Sequence, residues 1–196
     1  MQILDATYWD NLWQNNDYGW DIGNVSTPLA AYIDQLPDKT ISIFIPGCGN
    51  AHEAQYLLGK GFTNFTLIDI APSLVEELRK RLHEYIGNGL QIICGNFFEH
   101  VSSYDLILEQ TFFCTLPPNE RQAYVSHMHQ LLKSGGRLAG LLFNRSFDEN
   151  PPFGGYLEEY QSLFAKHFII QKMEDCYNSI PPRRGSELFF ILKKTD

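Results

Sequence analysis

Two glycines on either side of a cysteine, with a proline before them, are the first residues of this chain arranged to do chemistry. The run Ile45-Pro46-Gly47-Cys48-Gly49 leaves an apolar stretch and leads into a segment with helical spacing. Glycines at such a junction let the backbone approach a ligand closely, at the carboxyl end of a central strand where open α/β sheets bind nucleotides. Gly-x-Gly alone is common. It gains meaning from Asp69, which ends the next apolar run 22 residues beyond Gly47, because a carboxylate there accepts both hydroxyls of a ribose. A second role is open to Asp69, as the cap of a helix starting near Pro72.

The nucleotide class follows from what is missing. A dinucleotide site asks for Gly-x-Gly-x-x-Gly, and position 52 is His52. That third glycine allows tight packing beneath a pyrophosphate. S-adenosylmethionine has no pyrophosphate, so a methyltransferase loses nothing with it. The third expected strand runs into Gly95-Asn96-Phe97-Phe98, where methyltransferases meet the adenine. Asn96 suits its amino group and Phe97 its flat face. A turn asparagine and a core phenylalanine are the structural alternatives, and Phe98 is read as core.

Trp9 and Trp13 are four apart and share a helix face, while Trp20 follows the helix-breaking Asn15-Asn16-Asp17-Tyr18-Gly19. A sulfonium is a fixed cation, and an indole face is the best side-chain partner for one. The alternative is a hydrophobic staple that packs the segment on the core.

Other chemistries find little support. The net charge is −8, with 44% hydrophobic and 19% charged residues. Arg79-Lys80-Arg81 is flanked by Glu76, Glu77 and Glu84, and Arg183-Arg184 is short, so nucleic acid and anionic membrane are poor partners. Cys48, Cys94, Cys114 and Cys176 form no Cys-x-x-Cys pair, and Cys114 has no histidine near it in sequence, so zinc, a disulfide framework and a thiol nucleophile are not expected. His127 and His129 are two apart on an expected helix and point away from each other, which argues against a metal. The N-terminus shows no basic-then-apolar signal and no apolar run is as long as a membrane span, which makes a cytoplasmic setting the expectation.

These residues need a scaffold of alternating elements. Apolar runs at Ile41–Ile45, Phe65–Ile68, Gln91–Cys94, Asp105–Leu108 and Arg137–Phe143 predict buried strands. Ala51–Lys60, Pro72–Ile86 and Pro118–Lys133 predict helices between them, the last ended by Ser134-Gly135-Gly136. Ser26-Thr27-Pro28 is expected to cap a helix to about Leu36. A helix at Leu157–Lys166 and strands at Phe168–Glu174 and Glu187–Lys193 close the chain. The alternation predicts an α/β, doubly wound, mostly parallel sheet, in one domain over 1–196 with an N-terminal cap segment at 1–36.

Phe44-Ile45-Pro46-Gly47-Cys48-Gly49, the Trp9, Trp13, Trp20-Asp21 and Pro28 segment, Asp105–Cys114 with Pro117, Pro118 and Arg121, and Arg183-Arg184-Gly185-Ser186-Glu187 together resemble the motifs of the thiopurine S-methyltransferase superfamily. They are most similar to its halide/thiol methyltransferase branch. The resemblance implies a seven-stranded Rossmann-like fold ending in a hairpin. It also implies S-adenosylmethionine as cofactor (product S-adenosylhomocysteine), contacted by all three tryptophans, by Gly47, Gly49, Asp69, Ile70, Asn96 and Phe97, and by Glu109 and Gln110. Gln110 often stands as tyrosine in the family, a departure that bears on the acceptor. Pro151-Pro152-Phe153-Gly154-Gly155-Tyr156 resembles a reordered Gly-Gly-Pro-Pro-Tyr element, read as a lid or a plain connection.

Methyl transfer from a sulfonium is an in-line displacement governed by positioning and desolvation, so an anionic acceptor needs no strong base. The expected acceptor is a thiol, a thiocyanate-like anion or a halide, with a thiopurine-type or selenium/tellurium acceptor as the alternative. Arg121 is the candidate on the acceptor side, its other reading being a surface arginine at a helix start. A nicotinamide oxidoreductase and a non-catalytic adenosyl-binding module are the competing classes. Oligomeric state is not read from the sequence.

Overall fold

A computed structural model describes residues 3–195; Met1, Gln2 and Asp196 lie outside them, including the first two residues read above for a targeting signal. Seven strands form one sheet: β1 (Ile43–Pro46), β2 (Phe65–Asp69), β3 (Leu90–Cys94), β4 (Tyr104–Glu109), β5 (Leu132–Phe143), β6 (Phe168–Asp175) and β7 (Glu187–Lys194). Their order is β3-β2-β1-β4-β5-β7-β6. β1 to β5 pair in parallel, and β7 runs antiparallel between β5 and β6. Six helices cover it: α1 (Ala6–Gln14), α2 (Thr27–Ile33), α3 (His52–Gly59), α4 (Pro72–Arg81), α5 (Arg121–Gln130) and α6 (Leu157–Phe164).

All four residues of β1 are buried. Successive side chains of a strand leave opposite faces, so a strand buried throughout needs a layer on each side. Ile43 and Ile45 enter a cluster with Leu29 and Ile33 of α2, Leu57 of α3 and Leu74 and Leu78 of α4. Phe44 joins the opposite cluster, with Tyr124 and Met128 of α5 and Phe164 of α6. β1 lies between β2 and β4, so the strand order reverses there and the carboxyl ends diverge into a crevice. Among the described residues no helix is long and apolar enough to cross a membrane.

Three local expectations are corrected. The helix expected to reach Ile86 stops at Arg81, followed by a 3-10 turn at His83–Tyr85. The chain must turn back to enter β3, and it does so through Gly89 (φ +99°), where any Cβ would strike the Thr63 carbonyl. Ser134-Gly135-Gly136 does not end α5; these residues lie inside β5, where the register jumps from Tyr104↔Leu132 to Leu106↔Arg137. Gly135, at φ +73°, takes up that bulge. Ser26 precedes α2 but its side chain makes no cap bond, and its buried Oγ has no partner.

Candidate functional site

A cavity of about 1050 Å³ opens at the carboxyl ends of β1, β2 and β4. Its floor is the glycine turn. Gly47 and Gly49 hold φ of +55° and +50°, which favour glycine. A Cβ on Gly47 would lie 2.4 Å from the Phe112 ring, and one on Gly49 would lie 3.6 Å from the Trp13 indole. Asp69 lines the cavity and braces the turn, accepting the Gly49 N–H and the Ala71 N–H, each at 3.1 Å. The second bond is a turn ahead of α4, whose N-cap is Ala71 with no side-chain cap bond, so Asp69 does not cap that helix. Burial pushes the Asp69 carboxyl above its ordinary range, against the pull of those backbone donors. Ile70 also lines the cavity.

The aromatic segment forms the roof. Asp5 caps α1 through the Tyr8 N–H at 2.9 Å, and Trp9 and Trp13 leave the same face. The Trp20 ring meets both edge-on, with centroids 5.8 and 5.9 Å away, and all three indoles line the cavity. Three ties hold this roof down. Asp10 accepts the Ser73 N–H at 2.7 Å at the start of α4. Asp21 meets His52 Nε2 at 2.8 Å and accepts the amide of Asn50. Arg183 donates to the Trp20 carbonyl at 2.8 Å. Burial alone would raise the Asp21 carboxyl, but the donors Asn50, Gly23 and His52 outweigh it and hold the carboxyl below its usual value.

His52 thus has a function that the sequence showed only as a missing glycine: it clamps the roof to the helix after the turn. Asp21 stood in the sequence only as part of the Trp20-Asp21 segment, and Asn50 only as the residue after the glycine turn.

The third strand's exit divides its residues differently from the expectation. Asn96 lines the cavity, yet its Oδ1 accepts the Phe98 N–H at 3.0 Å and caps a 3-10 turn at Phe97–Glu99. Phe97 is 5% exposed, packed among the rings of Phe112, Tyr124 and His127, and reaches the cavity from that cluster. Phe98, read as core, is half-buried and lines the cavity as well.

Gln110 lies on the cavity wall, with a buried Oε1 that has no partner. Glu109 does not reach the cavity. It is fully buried behind the wall, where one oxygen accepts the Phe112 and Phe113 N–H groups at 2.9 and 3.0 Å and the other accepts the Tyr124 hydroxyl at 2.8 Å. Burial raises its carboxyl to about 7, opposed by those three donors. Gathering two N–H groups on one carboxylate folds the chain sharply, and Thr111 is driven to φ +56°, a rare conformation for a β-branched residue. Burial likewise pushes the Cys114 thiol up to about 12, which suits a packing role.

Arg121 is also placed away from the cavity. It is 4% exposed, pairs with Glu159 at 2.5 Å, donates to the Gly154 carbonyl at 2.6 Å, and lies over the Phe113 ring. The first residue of α5 faces α6, so its guanidinium leaves on the side opposite the expectation. The 150–156 loop it holds is pinned a second time by the Phe153 N–H on the Cys114 carbonyl at 2.6 Å, and only Phe153 of that loop lines the cavity.

Much of the lining is apolar, including Leu4, Ile22, Phe98, Phe112, Leu116, Pro117 and Phe153. Among the described residues, the carboxylates on the lining are Asp5, Asp21, Glu53, Asp69 and Glu120, and no lysine or arginine lines it.

A family model described as thiopurine S-methyltransferase matches residues 4–190. The chain is 28% identical over 198 residues to "Probable thiol methyltransferase 2" of Arabidopsis thaliana, covering 95% of this chain and 84% of that protein. It is 29% identical over 183 residues to a thiopurine S-methyltransferase of Vibrio parahaemolyticus, covering 85% of each. In fold it resembles the Burkholderia thailandensis 1,6-didemethyltoxoflavin-N1-methyltransferase, solved with bound 1,6-didemethyltoxoflavin and S-adenosylhomocysteine. That match has a TM-score of 0.77 at 17% identity and covers 97% of this chain and 87% of the other.

Proposed function

The chain belongs to the thiopurine S-methyltransferase family of S-adenosylmethionine-dependent methyltransferases, and from that membership we propose that it methylates the sulfur of an uncharged, largely apolar thiol. The observation that carries this reading is the charge of the cavity, which has carboxylates but no lysine or arginine on its lining. A halide or thiocyanate ion would find no fixed cation from the protein, and a rim of carboxylates would repel it. A neutral thiol carries no such cost, and apolar walls bind it by burial. The volume leaves room for a small acceptor beside an adenosyl ligand.

S-adenosylmethionine, when bound, supplies an electrophilic methyl group on a sulfonium. Gly47 and Gly49 let the backbone come close, Asp69 offers its remaining lone pairs to ribose hydroxyls, and Phe97 and Phe98 border the adenine end. Trp9, Trp13 and Trp20 present ring faces to the cation and exclude water from the transfer. The acceptor thiol would release its proton to solvent and take the methyl group on its sulfur, which would leave a methyl thioether and S-adenosylhomocysteine. The thiol enters neutral, and the sulfonium charge beside it would favour loss of its proton, so no strong base is needed.

An acceptor panel tests this. The protein is given S-adenosylmethionine with an aryl thiol, a thiopurine, sulfide, iodide or thiocyanate, and methylated products and S-adenosylhomocysteine are quantified. The aryl thiol and thiopurine are expected to turn over fastest. Faster turnover of iodide or thiocyanate than of any neutral thiol would sink the charge argument and leave the halide branch as the reading.

A further inference from the structure

Of the two buried carboxylates on the lining, Asp69 and Glu53, it is Glu53 whose acceptors are largely unmet. It is the second residue of α3, 5% exposed, and borders the cavity just beyond the glycine turn. Asp21 on the same lining is fully engaged, by His52, Asn50 and the Gly23 N–H. Glu53 takes only its own backbone N–H and a long bond from the Ser26 N–H at 3.4 Å. Beside it the Ser26 hydroxyl, 2% exposed, has no partner. No lysine or arginine forms an ion pair with Glu53 among the described residues. A carboxylate is costly to bury without donors, and one on a cavity wall points to a ligand that brings donors with it.

We propose that Glu53 binds the α-ammonium group of the adenosyl cofactor's amino-acid end. This rests on the methyltransferase reading above and adds a site to it. The cofactor carries two cations of different chemistry. Its sulfonium has no N–H and is served by indole faces, whereas its ammonium has three N–H donors and is served by carboxylate oxygens. The cavity separates these partners: three tryptophans form the roof, and a buried carboxylate lies where α3 leaves the turn. The turn itself opens on Pro46, which has neither a carboxylate nor an N–H to offer. Burial raises the Glu53 carboxyl, and an ammonium arriving against it would favour the ionised form.

Calorimetry with three stable ligands tests the assignment: S-adenosylhomocysteine, its counterpart lacking the amino group, and methylthioadenosine. The wild type is expected to bind S-adenosylhomocysteine at least about tenfold more tightly than the deamino compound. Glu53→Gln is expected to lose about that factor for S-adenosylhomocysteine while binding methylthioadenosine as before. If Gln at this position prevents folding, Glu53→Asp is the substitute, expected to shrink the preference for the amine. A wild type that does not distinguish the amine overturns the proposal. So does a variant that weakens all three ligands alike, which would make Glu53 a structural carboxylate. If the wild type binds none of the adenosyl ligands, the methyltransferase reading itself falls.

Discussion

Arg121 donates to the main-chain carbonyl of Gly154 at 2.6 Å, tying the first residue of α5 to the loop that carries Phe153 into the cavity wall. Its other partner, Glu159, is about half exposed, so water can solvate that carboxylate when the arginine is removed. Arg121→Met is therefore expected to cost about 2 kcal/mol, below the range for fully buried pairs, and to lower the melting temperature. Affinity for adenosyl ligands should be unchanged. An unaltered melting temperature with a raised KM for the acceptor would return Arg121 to the substrate side.

Trp13 offers a test that separates packing from charge. The indole stacks on Tyr18 and lies against Gly49, so Trp13→Ala should weaken any adenosyl ligand to some degree. Only S-adenosylmethionine carries the sulfonium, and a cation on an indole face is worth about 1 kcal/mol, or roughly fivefold in affinity. The loss for S-adenosylmethionine is expected to exceed that for S-adenosylhomocysteine by that factor. Equal losses would reduce the tryptophan to a packing group.

Glu109 sets a pH dependence of known sign. Unfolded, it titrates near its ordinary 4.5; folded, near about 7. Between those values the folded chain holds a proton that the unfolded chain has released. Its contribution is fully present below about pH 4.5 and is lost as pH rises through 7, on the order of 3 kcal/mol in all. Glu109→Gln keeps an acceptor for the Phe112 and Phe113 N–H groups and removes the titration. The melting temperature of the wild type relative to this variant should fall between pH 5 and 8, and parallel profiles would contradict the assignment.

The parts of this site that could be read in advance are those set by local rules. Continuous apolar runs and glycine marked the turn and Asp69 at the ends of two strands, and a spacing of four put Trp9 and Trp13 on one face. What was misread depended on direction rather than type. Spacing shows that neighbours on β4 face opposite ways, but not that the cavity takes Gln110 and leaves Glu109 behind the wall. In the same way it shows Arg121 at a helix start but not that the helix turns that residue toward α6. Glu53 gave no signal, because an acidic residue in a helix's first turn ordinarily faces solvent. Ser134-Gly135-Gly136 matched a terminator in composition, and only the partner strand shows it to be a bulge.

The bond from Arg183 to the Trp20 carbonyl spans 163 residues, and during synthesis on the ribosome it is among the last contacts available. Trp20 emerges early, yet its anchor follows β6, and Arg183 is itself held by Glu187, the first residue of β7, at 3.3 Å. A nascent chain that has produced the glycine turn and α4 can hold its roof through Asp10 and Asp21, but it still lacks the third tie. The roof over the cavity is therefore complete only when the segment after β6 has packed against it.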